Sequence, residues 1–322
     1  MARSMNRPSV LRPVRNRYAR MRHIKTLDPE RDHLEIYRIS SGCEFPWDYL
    51  RATEIALLRT FAVPSIGGLL DATGQFECAA QRRYDDTFIL MGALARYGYD
   101  SPEGKTALRT VNRAHGWYRI SNDDMLYTLS SFIYEPIRWI GRHGWRPLLG
   151  EEKLAAFWYY RNVGLRLGVK DIPSRYEDFQ DFNEQYERTA FSRTDAGRRV
   201  ADHALKAMCG WFPRPLRPLV RPVVLSVLDK PLRTALGYPG APTGVAALTH
   251  SALWARGRLL RLAPPRRRSL FDELPKVRTY TVGGPGCTMD KFGVAQLTPV
   301  ASRWQPVARP QTAGDAHRTP SP

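Results

Sequence analysis

Three side chains suited to ligand chemistry lie within one stretch of this sequence. Arg83 and Thr87 are four residues apart, so on a helix they share one face. Leu90 and Leu94 continue that face and make it apolar. His115 follows on a second apolar stripe, which is formed by Leu108, Val111 and Tyr118. An arginine, a threonine and a histidine on apolar faces are costly to bury unless something binds them.

A haem would satisfy all three residues. Iron accepts an imidazole as its axial ligand, and the haem propionates accept hydrogen bonds from a guanidinium. The pattern therefore suggests a haem site in which His115 binds the metal and Arg83 and Thr87 lie beside the cofactor.

Simpler interpretations of the same residues remain open. A single histidine on an apolar face is more often a core residue than a metal ligand, and His33, His143, His203 and His250 are rivals. Arg83 can equally pair with Asp123 or Asp124, and the run from Asn122 to Asp124 is also typical of a helix cap.

Helices are the elements that would position these residues. Apolar residues recur at helical spacing as far as residue 263, and strand-like alternation is absent before residue 277. We predict an all-α protein in which a long helix from Gln75 to Tyr97 carries Arg83 and Thr87, and the next helix carries His115. A further helix is expected to run from Met125 to Tyr134 and to stop before Pro136.

Composition divides the chain into three parts. We expect a flexible basic arm over residues 1–27, a helical domain over 28–263 and a largely disordered tail over 264–322. Within the helical domain, residues 28–191 carry the motifs, and residues 192–263 form a Pro- and Arg-rich helical extension.

Several features indicate a cytoplasmic protein. The four cysteines are widely spaced without a C-x-x-C motif, which suits a reducing compartment. The N-terminus lacks the apolar core of a signal peptide. No apolar run approaches the roughly 18–20 residues that span a bilayer. We therefore expect neither a signal peptide nor a transmembrane helix.

The net charge of +18 is concentrated outside the segment that carries the motifs. Residues 1–27 contain eight bases and no acid, and residues 193–268 contain fifteen bases and three acids. Such regions bind anionic lipid headgroups, bind nucleic acid or are simply solvated. Nucleic acid is the least favoured partner because no nucleic-acid-binding motif is present. We expect peripheral association with an anionic membrane, aided by shallow insertion of Leu219, Val220, Val223, Val224, Leu225 and Leu228.

A set of short motifs in a fixed order resembles one known catalytic domain. The motifs are F-A-V-P-S-I at 61–66, D-T at 86–87, N-R-A-H-G-W-Y at 112–118, I-S-N-D-D-M-L-Y-T-L at 120–129, P-I-R-W at 136–139, G-W-R at 144–146 and D-I-P-S at 171–174. From about Arg20 to Arg188, the chain is similar to the family that unites the mpaB-type oxygenases of fungal meroterpenoid biosynthesis with the bacterial rubber oxygenases (latex-clearing proteins). It most resembles the mpaB branch.

This resemblance implies a globin-like helical core that holds haem b and a haem-dependent oxygenase activity. His115 matches the family's proximal histidine, and Arg83 and Thr87 match the arginine and threonine beside the haem. The implied substrates are O2 and an apolar terpenoid or lipid-like molecule, with oxidative cleavage of C–C or C=C bonds as the family chemistry. A single imidazole ligand leaves one iron position open for O2.

The chain departs from the rubber oxygenases at one important position. Those enzymes place a distal glutamate on a helix that precedes the arginine, whereas residues 64–73 here offer only Asp71. Glu54 and Glu77 are poorer candidates by position. A non-catalytic helical protein that binds haem or lipid is therefore the alternative function, and the sequence does not predict an oligomeric state.

Overall fold

The computed structural model describes residues 16–271 and 278–279, and these residues form an all-α fold, which confirms the predicted class. The helices within them are α1 (Ala19–Ile24), α2 (His33–Ile39), α3 (Pro46–Phe61), α4 (Pro64–Ala72), α5 (Gln75–Tyr97), α6 (Pro102–His115), α7 (Asn122–His143), α8 (Gly150–Arg166), α9 (Tyr176–Ala190), α10 (Asp195–Gly210), α11 (Arg217–Val227), α12 (Lys230–Ala235) and α13 (Thr243–Leu262). A π-helical turn at Ser40–Glu44 joins α2 to α3, and a 3-10 turn at Arg214–Leu216 precedes α11.

The centre of the fold is the packing of α7 on α3. Helices α8 and α9 also pack on α7, and α2 packs on α8. Helix α10 packs on α4 and α5, while α11 packs on α10 and α13. The core between these helices is rich in buried aromatic rings, including Phe45, Phe61, Tyr134, Trp145, Phe157 and Phe179. Burial of these large apolar surfaces is the main stabilising contribution.

Helix α7 is longer than the sequence predicts. The prediction ended it at Tyr134, but the helix continues to His143 with Pro136 inside it. An interior proline costs about 3 kcal/mol, because it removes a hydrogen bond and crowds the preceding turn. Pro136, Trp139 and Ile140 are all buried, and α7 packs on α3, α8 and α9, so tertiary packing offsets that cost.

Two glycines allow α4 and α10 to approach closely. A Cβ atom on Gly67 would come within 2.9 Å of the Cα of Gly197 and within 2.6 Å of the carbonyl oxygen of Phe61. A larger side chain at this crossing would push the helices apart. The glycines therefore keep α10 close to α4, beside the cavity described in the next subsection.

A buried arginine connects α3 with three other parts of the fold. Arg59 donates to Glu187 of α9 over 2.7 Å and to Asp229, just before α12, over 2.6 Å. Its guanidinium also lies 3.6 Å from the Glu135 carboxylate of α7. Burial alone would lower the pKa of Arg59, but these hydrogen bonds and charges raise it above its ordinary value. The arginine therefore stays charged inside the protein.

The two ends of the chain lie partly outside the described residues. Of the predicted basic arm, residues 19–24 form α1, where the Arg20 guanidinium lies 3.6 Å from Glu44. Of the predicted tail, residues 264–271 and 278–279 are described. The backbone NH groups of Arg278 and Thr279 donate to Asp85 of α5 over 3.1 and 2.8 Å.

Across the described ranges, no single helix is both long enough and apolar enough to cross a bilayer. Helices α3 and α4, which meet at a bend of 94°, satisfy these length and composition criteria only as a pair.

Candidate active site

The three residues identified from the sequence line one apolar cavity. Arg83, Thr87 and His115 surround a space of about 240 Å³, just below the roughly 300–1,000 Å³ that is usual for small-molecule sites. The remaining wall is mainly apolar and includes Leu57, Phe61, Leu69, Phe76, Met125 and Met208. The structure thus brings His115 together with Arg83 and Thr87, which lie on the preceding helix.

His115 is the last residue of α6. Burial, together with the nearby positive charge of Arg83, lowers the pKa of His115 to about 4, so its imidazole is neutral at pH 7. The Nδ1 atom is fully buried and has no hydrogen-bond partner among the described residues. A neutral imidazole is the form in which histidine binds metals. The donor chemistry therefore fits an iron ligand.

Arg83 and Thr87 lie on α5 beyond a kink at Ala79, where the backbone leaves the helical region at φ −149° and ψ 38°. The Thr87 hydroxyl donates to the carbonyl oxygen of Arg83 over 3.0 Å. The guanidinium of Arg83 makes no hydrogen bond or ion pair with any described residue. A cation at an apolar cavity without a protein partner is suited to an anionic group on a bound ligand.

The predicted alternative partner of Arg83 is already engaged elsewhere. Asp124 accepts hydrogen bonds from Ser65 and Tyr186, each over 2.8 Å. The Ser121 hydroxyl accepts from the backbone NH of Asp124 over 3.0 Å, so this segment does cap α7 as a helix cap should. Asp124 also lines the cavity and fixes Ser65, at the start of α4, against the start of α7.

Glu54 is a site residue that the sequence ranked too low. It lies on α3 and lines the cavity, where it accepts hydrogen bonds from Arg51 over 2.6 Å and from the Tyr84 hydroxyl over 2.8 Å. Burial raises the pKa of Glu54 to about 7, although the charge of Arg51 and the hydrogen bond from Tyr84 lower it. Its carboxyl can therefore take up or release a proton near neutral pH.

The candidate that the sequence preferred faces away from the cavity. Asp71 is held by Arg199 of α10 in an ion pair with a distance of 2.6 Å and does not line the cavity. Glu77 is exposed and is likewise absent from the wall. Sequence position ranked Glu54 below Asp71 because α3 precedes the arginine by a whole additional helix. Only the packing of α3 in the folded protein shows that Glu54 lines the cavity.

The rival histidines do not contribute to the cavity. His143 packs edge-on against Trp139, with 4.6 Å between ring centroids, and stacks on His250 at 5.7 Å, while His33 contacts the Tyr99 hydroxyl. His203 also lies off the cavity wall. Among residues 16–271, 278 and 279, no group of three or more His, Cys, Asp or Glu side chains is placed to hold a metal ion.

Helix α10 forms a wall of the cavity that the sequence analysis did not assign to the site. Ala204, Ala207, Met208 and Trp211 recur at spacings of three and four residues and line the cavity together. Their periodicity was the available signal. Helix α10 belongs to the basic extension, and the positive charge of that extension predicts binding to an anionic surface rather than a place in the cavity wall.

A second, smaller cavity of about 80 Å³ adjoins the first. Leu57, Tyr84 and Thr87 belong to the walls of both. The rest of its lining comes from α2, the π-helical turn, α3, α5, α8 and the segment after α13, including Tyr37, Tyr49, Met91, Gly92, Tyr160 and Phe271.

Comparison with known proteins places this site in a family context. Residues 55–262 match the family described as the catalytic domain of ER-bound oxygenase mpaB/B' and rubber oxygenase. The chain is 31% identical over 249 residues to the ER-bound oxygenase mpaB' of Penicillium brevicompactum, a match that covers 70% of this chain and 58% of that protein. It is 28% identical over 230 residues to the ER-bound oxygenase mpaB of Penicillium roqueforti (strain FM164), covering 65% of this chain and 76% of that protein.

A third relative, the ER-bound oxygenase mpaB of Penicillium brevicompactum, is 31% identical over 182 residues, which is 50% of this chain and 46% of that protein. The match to the first relative thus spans less than two thirds of that relative's length. The family match, however, extends over most of the folded chain, from within α3 to the end of α13. The protein belongs to the mpaB/rubber oxygenase catalytic-domain family.

Proposed function

We propose that this protein is a haem b-dependent oxygenase that uses O2 to oxidise an apolar, terpenoid- or lipid-like molecule, with oxidative C–C or C=C cleavage as the reaction class. The observation that carries this proposal is that one apolar cavity is lined both by the neutral imidazole of His115 and by the Arg83 guanidinium, which has no partner among the described residues. Membership of an oxygenase family and the names of the relatives support it.

In this proposal the three residues selected from the sequence have separate tasks. His115 would hold the iron, and Arg83 would donate charge-assisted hydrogen bonds to a propionate, each worth about 1.5–3 kcal/mol. The Thr87 hydroxyl donates its hydrogen bond to the Arg83 carbonyl and so supports the helix turn that carries the arginine. The haem, when bound, supplies the activation of O2.

Glu54 and Tyr84 would handle protons at the cavity wall. The Glu54 carboxyl, whose pKa is about 7, exchanges a proton at neutral pH, and the Tyr84 hydroxyl donates to it over 2.8 Å. Tyr84 also packs against Trp211 of the α10 wall, with 4.8 Å between ring centroids, which fixes the hydroxyl. The pair is positioned to remove or supply a proton at Glu54 Oε1.

The test is the absorption spectrum of the purified protein, expressed with a haem precursor. We expect a Soret band in the wild type, its loss in His115→Ala and its retention in His143→Ala, because His143 lies outside the cavity. Absence of haem from the wild type, both as purified and after haem titration, would refute the cofactor assignment.

Oxygen consumption separates an oxygenase from a protein that only binds haem or lipid. The haem-loaded wild type should consume O2 when apolar isoprenoids are added, and the products should contain oxygen atoms from the O2. A protein that binds the same isoprenoids but consumes no more O2 than slow autoxidation requires is the non-catalytic alternative.

We infer, in addition, that the protein works at a membrane surface. Helices α11 and α13 pack on each other, contain no acidic residue and expose both arginines and large apolar side chains. This combination favours an anionic lipid surface over nucleic acid, because exposed leucines can insert into lipid but gain no comparable burial against nucleic acid. The relatives are named ER-bound, which supports the inference.

A further inference from the structure

We propose that the second cavity is a binding site for the apolar tail of the substrate, while the reacting part of the same molecule lies in the first cavity. This inference rests on the proposed function for the identity of the reacting end. The two cavities share three wall residues, Leu57, Tyr84 and Thr87, and are therefore neighbours. An elongated molecule that passes these three side chains would extend from the candidate active site into the smaller space.

The chemistry of the second cavity favours an apolar occupant. Apart from Thr53, each hydroxyl in its lining makes a hydrogen bond within the protein. The Tyr37 and Tyr160 hydroxyls pair over 3.1 Å, and that of Tyr49 lies 3.4 Å from the Ser40 hydroxyl. The others, those of Ser41, Tyr84 and Thr87, bond to the Tyr37 carbonyl, Glu54 and the Arg83 carbonyl.

Because these hydroxyls are already satisfied, a polar ligand would gain little there and would lose its hydration. An aliphatic segment loses no hydrogen bonds and gains contact with rings and with Leu50, Leu57 and Met91. The first cavity contrasts with this, since its wall carries the carboxyl groups of Glu54 and Asp124 besides the residues assigned to the haem. The polar and apolar ends of one ligand would thus lie in different cavities.

The size of the second cavity limits the length of the tail. Its volume is about half that of the engineered 150 Å³ cavity that binds benzene, so it holds a segment of only a few carbon atoms. The segment that follows α13 contributes Leu270 and Phe271 to its wall. The backbone NH of Leu270 donates to the Gly42 carbonyl over 2.8 Å, which anchors this segment on the π-helical turn.

Gly92 offers a direct way to fill the cavity. It lies on α5 in the cavity wall, and a Cβ atom built there meets no atom within 4 Å. Leucine at this position would therefore occupy the tail site without displacing the backbone. Gly141 is a matched control, since it is a helical glycine of α7 with the same open surroundings but faces solvent, away from both cavities.

The experiment measures binding of hexanol, decanol and tetradecanol to the full-length protein by displacement of cis-parinaric acid, with haem content recorded for every variant. Each methylene that becomes buried is worth about fourfold in affinity. In the wild type, affinity should rise from hexanol to decanol. It should level off at tetradecanol, when the tail site is full. Gly92→Leu should weaken decanol binding about tenfold or more and leave hexanol binding and haem content unchanged. Gly141→Leu should match the wild type throughout.

Three results would overturn the tail site: equal losses for hexanol and decanol in Gly92→Leu, equal effects of Gly92→Leu and Gly141→Leu, or no dependence on chain length in the wild type. The readout does not depend on the proposed function. If the wild type shows no Soret band but Gly92→Leu still shortens the accepted chain, the tail site stands and the haem assignment fails. If haem is present but chain length has no effect on binding, the haem assignment stands and the tail site fails.

Discussion

At the scale of single residues, the candidate site is defined by which polar atoms have partners and which do not. In the cavity wall, the Nδ1 atom of His115 is buried without a hydrogen-bond partner, and the Arg83 guanidinium has no partner among the described residues. Asp124 and Thr87, by contrast, make hydrogen bonds within the protein. Buried polar groups are normally paired, so the buried Nδ1 atom on this cavity is suited to bind a ligand.

Replacing Arg83 tests whether its guanidinium binds a propionate. Arg83→Ala should lose haem about tenfold to a hundredfold faster than the wild type, because it lacks one charge-assisted hydrogen bond or two. Thr87→Ala should have a smaller effect, since its hydroxyl bonds to the helix. Transfer of haem to apomyoglobin measures these rates. Arg82→Ala is the control, because Arg82 does not line the cavity. Equal rates for all four proteins would show that Arg83 does not hold the cofactor.

The raised pKa of Glu54 predicts a specific dependence of stability on pH. Its ordinary value is 4.5, and burial raises it to about 7. A carboxyl with a higher pKa in the folded protein binds its proton more tightly there, so its stabilising contribution is present below pH ~4.5 and is lost as the pH rises through about 7.

Glu54→Gln should remove this loss, so the free energy of unfolding should fall less between about pH 5 and pH 8 in the variant than in the wild type. Urea denaturation across that range measures the difference. Glu77→Gln, an exposed site on α5, should follow the wild type. A Glu54→Gln profile parallel to that of the wild type would place the Glu54 carboxyl in an ordinary environment.

At the scale of helices, packing decides where elements end and how they are held. Helix α7 passes through Pro136 because its contacts with α3, α8 and α9 outweigh the local cost of the proline. Arg59 then links α3 to α9 and to the start of α12 through carboxylates that are distant in sequence.

Arg59→Leu should destabilise the protein by up to about 3–5 kcal/mol, because Glu135 and Glu187 would lose one of their two counter-ions and keep only Arg138. Chemical denaturation monitored by far-UV circular dichroism measures the loss. The surface pair of Arg199 with Asp71 provides the comparison, and Arg199→Ala should change stability little, since that arginine is exposed. If the two variants unfold alike, the buried cluster does not stabilise the fold.

At the scale of the whole molecule, charge and exposed apolar surface coincide on α11 and α13. Of the apolar residues that the sequence selected for membrane insertion, Val220, Leu225 and Leu228 are buried in the protein, whereas Leu219 and Val223 are exposed. The larger apolar surface is on α13, where Leu248, Leu259 and Leu262 are 73%, 67% and 86% exposed. Arg256 is not part of this surface, because it pairs with the buried Asp48.

A double variant on α13 tests the membrane surface. The wild type should co-sediment with vesicles of phosphatidylcholine and phosphatidylserine more strongly than with phosphatidylcholine alone, and salt should weaken this binding. Leu259→Glu with Leu262→Glu should reduce it about tenfold or more, through lost insertion and charge repulsion.

Leu165→Glu is the control for this experiment, because Leu165 is 50% exposed on α8. Recovery of the wild type in the supernatant from both kinds of vesicle at low salt would refute membrane association. Sedimentation velocity without lipid tests whether a second copy of the chain binds this surface instead. A dimer that the α13 variants dissociate would make this face an interface between two copies of the chain.

The sequence by itself determined the fold class and the helices that carry Arg83, Thr87 and His115, and it selected these three residues as candidates for the site. These follow from hydrophobic periodicity and from residue types at short spacing, which are local properties of the chain. The predicted helix from Gln75 to Tyr97 matches α5 in both bounds. The motifs from 61 to 174 also gave the family, because an ordered set of motifs is specific even when each one is weak.

Only the tertiary structure decided which of three carboxylates faces the cavity, that Arg83 has no partner in Asp124, and that α10 closes one wall. It also decided that α7 continues past Pro136 and that a second cavity adjoins the first. Each of these depends on contacts between residues far apart in the chain. The free energy of such contacts comes from burial and desolvation, which periodicity along one helix does not encode. For Glu54, burial raises the pKa of the carboxyl to about 7, so this group can donate a proton at pH 7, which an exposed carboxyl cannot do.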